Sequence, residues 1–486
     1  MVDHSSCTGE NMSRRRTAIL AFAAGLFWLC RHAYYVGYFN DDAYYLIGAK
    51  SLLSARYAEL QTPGAPPLVN YLPGWPILLA PVLALTGGRL AAAQGFSVLL
   101  GVASLGLLAS VFEAEEGEET ADLAVAALAL SPLIASTAAT LLSDGPMLFC
   151  AAASLAVLPR LLPRRDVGPW LVLGLFMGLA ALVRPTGLAL AAGVALTLLG
   201  ERRRREATLA FLPAAAIFAA WLWRDAAVSG RAWNYWSQAR GQWSASGPPV
   251  FENAVYYARE VFARALWRVP RAPLGVEVAV GLAGLGLCGL GILRARTTAG
   301  RAGALFAALF AAPHLAWGQQ AARYMIPVLP FALWGAWRGL ARLDRRAALA
   351  GAGSGILLCA TATARVAAAS LHPGDARSVP PARTARWLKA HARPGELIGA
   401  EYDARWHVLT GLGTAHWTAS APTAAFTRIL IEDTSAAIQG AGSGGARTPR
   451  VEDLQRAALS RDPGMTREFA DAEERTEVWG AGGGGR

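Results

Sequence analysis

Charge is scarce in this chain. Only 16% of its 486 residues are charged while 54% are hydrophobic, and the mean hydropathy is +0.32. That shortage excludes a soluble globular protein of this length and is the composition of an integral membrane protein. Cysteine is scarce too: of five, Cys7 lies in the polar N-terminus and Cys30, Cys150, Cys288 and Cys359 lie in apolar runs. With none in the polar C-terminal region, neither structural disulfides nor a zinc site is expected. The first apolar run lacks a small-residue cleavage site, so it reads as an uncleaved span behind a cytoplasmic tail, residues 1–16, that ends in three arginines. A net charge of +11 would suggest nucleic acid if it were gathered on a polar domain. The arginines instead fall in short clusters between apolar runs, as topology signals do, and no nucleic-acid partner is expected.

Long apolar runs are what the chain has in abundance. A helical span needs about 20 mostly apolar residues. That ruler places spans near 17–38, 89–112, 121–141, 145–162, 168–183, 185–200, 207–223, 274–293, 302–318, 323–340 and 347–369, about eleven in all. Residues 75–88 are apolar but short and contain Pro81, so they read as an interfacial or re-entrant helix. With that choice the clusters Arg14–Arg16, Arg164–Arg165, Arg202–Arg205, Arg294 with Arg296, and Arg345–Arg346 all fall on one side, as the positive-inside rule requires. The acidic stretch EAEEGEET, 113–120, falls on the same side and is the exception.

The outer side then holds the loop 39–88, the turn at Asp144, Arg184, the aromatic-rich loop 224–273, the turn before Arg323 and everything beyond about 370. The Trp and Tyr of 224–273 suit an aromatic belt at the headgroups at least as well as ligand contact. From 371 to 486 the pattern is water-soluble: a helix at 382–392, strands at 396–402 and 426–433, a helix at 451–459, a strand at TEVWG, a flexible loop at 439–450 and a disordered glycine-rich tail. The expected architecture is a polytopic α-helical membrane domain, 17–370, with a small extracytoplasmic C-terminal α/β domain.

Chemistry centres on a polar island, FNDDAYYLIGAK, residues 39–50. Adjacent carboxylates at a span end are expensive unless used; the bland alternative is a helix N-cap, for which one Asp suffices. Asp144, in Ser143-Asp144-Gly145-Pro146, has the same two readings. Three carboxylates on one surface could hold a divalent metal, Mg or Mn, through Asp42 and Asp144, or could supply a general base. Arg184, Arg323 and Lys50 suit a phosphate headgroup or ordinary snorkelling. His314, without a partner, reads as a packed, hydrogen-bonded residue.

The ordered motifs DDAYYLIGAKSLL, PPLVNYLPGWPILLAPVLALTGG, LLSDGPMLF, VRPTGLAL and QQAARYMIPVLPF, across about 15–345, resemble the membrane-embedded GT-C glycosyltransferases. The nearest branch holds the protein O-mannosyltransferases, the lipid A aminoarabinose transferase and their bacterial relatives. WLKAHARPGELIGAEYDARWHVLTG is similar to the appended domain of some bacterial members. The resemblance implies a polyprenyl-phosphate sugar donor and an extracytoplasmic acceptor. Asp41 matches the catalytic carboxylate of the first outer loop, Asp42 its acidic neighbour, Asp144 the acidic position of the second outer loop, and Arg323 with Tyr324 a late arginine-tyrosine pair. No metal-binding histidine stands near the first outer loop.

Physical logic agrees with that likeness. A carboxylate at the interface can take the acceptor's proton as its oxygen attacks the anomeric carbon, while arginines neutralise the leaving polyprenyl phosphate. The reading is an inverting glycosyltransferase: Asp41 as base, Asp42 and Asp144 as acceptor or metal ligands, and Arg184, Arg323, Tyr324 and Lys50 at the donor phosphate. The rivals are a transporter or flippase, which would place its polar groups near the bilayer midplane, and a non-catalytic scaffold, for which three outward carboxylates have no use.

Overall fold

The structure, a computed structural model, describes residues 14–229, 240–241, 243–244, 247–264, 273–372, 378–432 and 451–481. The tail before residue 14, much of the loop 224–273, the loop 439–450 and residues 482–486 lie outside the described residues. From the N-terminus, α1 (Arg14–Leu29) leads to α2 (Asp41–Leu52) and α3 (Gly74–Leu85). The helices α4 (Leu90–Glu116), α5 (Glu118–Ala129), α6 (Pro132–Thr137), α7 (Asp144–Leu161), α8 (Val167–Val183), α9 (Leu188–Gly200) and α10 (Arg204–Ser229) follow. Then come α11 (Val250–Ala258), α12 (Leu274–Ile292), α13 (Thr298–Ala316), α14 (Leu329–Leu343) and α15 (Arg345–Leu371). The C-terminal part runs α16 (Ala382–His391), β1 (Leu397–Ala400), α17 (Asp403–Thr410), β2 (Gly413–His416), β3 (Arg428–Glu432), α18 (Val451–Arg461), β4 (Met465–Asp471) and β5 (Thr476–Ala481).

Among the described residues, α4, α10, α12 and α15 are long and apolar enough to cross a membrane. Eleven runs met the hydropathy ruler; local chemistry shortens or interrupts several of them. The run 17–38 stops being α-helical at Leu29 and passes through a 3₁₀ turn, and Gly37 has φ +99°. The run 121–141 breaks into α5 and α6, with Pro132 opening α6 because it has no N–H to donate. The run 323–340 starts as a 3₁₀ turn, Ala322–Met325, and is α-helical only from Leu329. Helix α3 has twelve residues, about 18 Å, well under a hydrocarbon core of about 30 Å.

The chain divides into two compact units. The first comprises residues up to Arg31, 94–139 and 143–368. Its helices meet through glycine. A Cβ on Gly291 of α12 would run into the Gly335 carbonyl of α14, and one on Gly339 into the Leu287 carbonyl. Gly174 of α8 lies against the Leu209 and Ala210 carbonyls of α10, and Gly193 of α9 against the Phe306 backbone of α13. Small residues let backbones approach closely where lipid gives no hydrophobic drive to association.

The acidic stretch 113–120 is explained in this unit. Arg16 bonds Glu113 at 2.7 Å and Asp122 at 2.8 Å. Arg338 bonds Glu115 at 3.0 Å and Glu116 at 2.7 Å, and Glu115 also accepts from the Thr297 N–H at 2.8 Å. Three of the five glutamates in the stretch, Glu113, Glu115 and Glu116, are thus paired with arginines.

The second unit joins residues 32–93 and 140–142 to everything from Ala369. Its sheet has the order β2-β1-β3-β5-β4, with β1 parallel to β2 and β3, and β5 antiparallel to β3 and β4. Leu430 faces a core of Leu388, Ile398 and Trp406, while Ile429 and Ile431 face Trp417, Leu459 and Met465, the period-two alternation of a strand covered on both faces. The expected elements appear as α16, β1, β3, α18 and β5; β2, α17 and β4 were not foreseen. Strand β4 is mostly exposed and charged, an edge strand without an apolar signature. A further cluster of Ala43, Tyr44, Ile47, Leu68 and Ala404 packs α2 and the first loop on α17, and the Thr414 N–H donates to the Gln61 carbonyl at 2.8 Å.

Removing Arg338 leaves Glu115 buried without a cation, which costs about 3–5 kcal/mol. Arg338→Met is therefore expected to lower the thermal midpoint of detergent-solubilised protein markedly, whereas Glu119→Gln at an exposed position stays within about 0.5 kcal/mol of the parent.

Candidate functional site

The two halves of the sequence-derived site fall in different units: Asp41, Asp42 and Lys50 in the second, Asp144, Arg184, Arg323 and Tyr324 in the first. In the second unit, Asn40 precedes α2 with φ +60°, and its side chain makes no capping hydrogen bond. Asp41 is half-buried and accepts from the Tyr71 hydroxyl at 3.0 Å. Asp42 is 1% exposed; its Oδ2 accepts from the Gly37 N–H at 2.7 Å, while Oδ1 has no hydrogen-bond partner. Burial pushes the Asp42 carboxyl up to about 6, the Gly37 N–H and the Arg405 charge opposing and the Asp41 charge adding. Lys50 is exposed in the last turn of α2, nine residues or about 13 Å along the axis from Asp41, so the helix does not bring them together.

The first unit holds a compact ionic cluster. Asp144, 1% exposed, opens α7, and its two oxygens accept from different guanidinium groups: Arg184 on Oδ1 and Arg323 on Oδ2 at 3.2 Å. Arg184 stands in extended backbone where α8 ends before Pro185, in a 3₁₀ turn through Gly187 whose added Cβ would strike the Ala180 carbonyl. Arg323 lies on the 3₁₀ turn ahead of α14. The Tyr324 ring has both guanidinium carbons near it, Arg184 at 5.2 Å and Arg323 at 5.0 Å from its centroid. Two cations against one carboxylate leave one positive charge at this cluster, which favours an anion. His314 is buried, its Nδ1 is 2.9 Å from the Phe310 carbonyl, and its ring is 5.6 Å from Tyr324: the packed residue that its isolation in the sequence suggested.

Asn253 was not foreseen. From the aromatic-rich loop, its Nδ2 lies within donor distance of the His314, Leu315 and Trp317 carbonyls at 3.2, 3.0 and 2.6 Å, and its Oδ1 accepts from Gln320 at 2.8 Å. That clamp orders the approach to Arg323. One amide among many Trp and Tyr residues gave no signal in the sequence.

A divalent metal does not fit the carboxylates as placed. Among the described residues no group of three or more His, Cys, Asp or Glu is arranged to hold one, and both Asp144 oxygens are taken by arginines.

A family model described as dolichyl-phosphate-mannose-protein mannosyltransferase matches residues 66–224, about a third of the chain. No curated protein matches in sequence. Among solved structures, ArnT from Cupriavidus metallidurans bound to undecaprenyl phosphate is 14% identical with a TM-score of 0.61, over 95% of this chain and 97% of that one. The Archaeoglobus fulgidus oligosaccharyltransferase in complex with Zn and sulfate is 11% identical with a TM-score of 0.54, over 86% of this chain and 68% of that one. AglB from the same organism, with an inhibitory peptide and a dolichol-phosphate, is 12% identical with a TM-score of 0.52, over 87% of this chain and 70% of that one. The fold is that of the GT-C glycosyltransferases. Within it, the chain resembles the ArnT-type architecture along nearly its whole length.

The Asp42 carboxyl gives a testable sign. Below pH 4 the folded and unfolded chains both carry its proton. As pH rises toward 6 the unfolded chain loses that proton first, so stability falls by about 3 kcal/mol over that window. Asp42→Asn is expected to remove this component, so its midpoint exceeds the parent's at pH 7.5 and matches it near pH 4. Midpoints measured across that range check it, and parallel curves would contradict it.

Proposed function

We propose that this chain is a membrane glycosyltransferase that moves a sugar from a polyprenyl-phosphate donor to an extracytoplasmic acceptor, a cell-envelope glycan, lipid or protein, with inversion at the anomeric carbon. The observation that carries the reading is the Arg184–Asp144–Arg323 cluster, net positive and flanked by Tyr324, on a fold shared with a protein solved bound to undecaprenyl phosphate. A transferred hexose or pentose leaves a polyprenyl phosphate whose charge grows as the glycosidic bond breaks. Guanidinium groups already oriented by a carboxylate stabilise that charge without reorganising. In this reading Asp144 orients the two arginines rather than binding acceptor or metal.

Asp41 is the general base. It is more accessible than Asp42 and has a tyrosine hydroxyl to fix its orientation. The proton passes from the acceptor hydroxyl to its carboxylate as the acceptor oxygen forms the new bond to the sugar. Asp42, buried behind it, binds acceptor through the oxygen that lacks a donor. The full topology in this reading is about eleven crossings of the inner membrane, with the N-terminus in the cytoplasm and the C-terminal domain outside.

The test is release of free polyprenyl phosphate by purified protein offered a panel of polyprenyl-phosphate sugars with envelope extract. Asp41→Asn is expected to cut turnover by roughly 100-fold or more while insertion and folding persist. Arg184→Gln is expected to raise the donor KM. Unchanged turnover in Asp41→Asn removes the assignment of the base.

A further inference from the structure

The C-terminal segment reaches the polar island at two positions one residue apart on each side of Ala404. Arg405 is 3% exposed, and its guanidinium is spent on the first loop: Nε donates to the Gly37 carbonyl at 2.7 Å and Nη2 to the Tyr38 carbonyl. Its backbone N–H donates to the Asn40 side chain at 3.0 Å. Gly37 is the residue whose N–H holds Asp42. It takes φ +99°, and a Cβ there would come within 3.2 Å of Arg405 Cγ, so both the turn and the arginine require glycine. From the sheet side Arg405 is fixed by Glu432 of β3 at 2.6 Å, and it lies 4.3 Å from the Tyr402 ring centroid.

Asp403 makes the second link. Its oxygens accept from the Tyr44 hydroxyl at 2.9 and 2.8 Å, Tyr44 stacks on Tyr71 at 4.4 Å, and the Tyr71 hydroxyl donates to Asp41. Each carboxylate of the island therefore ends a chain of contacts that begins on the first turn of α17.

We propose that Arg405 is a positioning residue for the transfer reaction: through the Gly37 and Tyr38 carbonyls it fixes the backbone that aims Asp42 and Asp41, and Asp403 supports it through Tyr44. This rests on the glycosyltransferase reading above. The C-terminal domain then acts on catalysis by holding the geometry of the loop. A positioning role predicts loss of kcat with little change in donor KM, because a misplacement of about 1 Å costs on the order of 100-fold in rate and leaves donor contacts intact.

The experiment compares Arg405→Met, Arg405→Lys and Glu432→Gln in the full-length, detergent-solubilised protein by two readouts: donor kinetics, and hydrogen–deuterium exchange of peptides covering 35–44 and of the sheet peptides. Expected for Arg405→Met are a fall in kcat of roughly 10- to 100-fold, a donor KM within about twofold, and faster exchange confined to 35–44. Arg405→Lys keeps one contact and recovers part of the rate; Glu432→Gln shifts both readouts in the same direction and by less. Unchanged kcat overturns the proposal, as does exchange that rises equally across the sheet together with parallel loss of kcat and KM. Should Arg405→Met fail to fold, Arg405→Lys and Glu432→Gln give the same two readouts. If the unaltered protein turns over no donor, the glycosyltransferase reading fails; the exchange at 35–44 still tests the anchor, and unchanged exchange there overturns it.

Discussion

Charge removed from water has to be met by charge or by hydrogen bonds, and the polar architecture of this protein follows from how each buried group meets that demand. Glu115 is met by Arg338 and by the start of α13; Asp144 by Arg184 and Arg323; Arg405 by Glu432 and two carbonyls. Asp403 receives one tyrosine hydroxyl across both oxygens. Asp42 is met incompletely: Oδ2 accepts from the Gly37 N–H while Oδ1 has no hydrogen-bond partner. Burial without full compensation raises its proton affinity, a stability cost that packing elsewhere has to cover, and groups of that kind concentrate where chemistry is done.

The ionic cluster at Asp144 illustrates how pairing fixes charge in place. A lone arginine at a helix end would be a mobile cation. Two arginines sharing one carboxylate are held in place by it. The backbone contributes as much as the charge: the Pro185–Gly187 turn and the Asn253 clamp fix the segments that carry Arg184 and approach Arg323.

How much of this the sequence discloses depends on contrast with the surroundings. Asp41, Asp42, Asp144, Arg184 and Arg323 are conspicuous because each interrupts apolar sequence, and counting helix ends was enough to group the latter three. Arg405, Asp403 and Glu432 lie in a water-soluble stretch where charge is ordinary, and their partners Gly37 and Tyr44 lie some 360 residues earlier. Composition carries no trace of such a pairing. Hydropathy missed the helix ends for a related reason: a window average does not register that Pro132, or the turns at Gly37 and Ala322–Met325, interrupts a helix whose side chains remain apolar. Strand β4 escaped because it is a charged edge without an apolar signature.

The same contrast argument explains the composition of the loop YYVGYFNDD. A carboxylate that must point one way cannot rely on its own rotamers, and a surface loop of this length would ordinarily be the least ordered part of a membrane protein. Here the restraint is supplied from outside the loop, by a planar fork with several donors in fixed directions, which a lysine could not reproduce. The fork reaches the Gly37 and Tyr38 carbonyls, the first of which also accepts from the Asn40 N–H at 3.0 Å, where the chain turns at positive φ instead of continuing α1. Ending the first helix early, placing glycine at 37 and burying an arginine 368 residues away act together on one stretch of backbone, the one that leads into two adjacent acids.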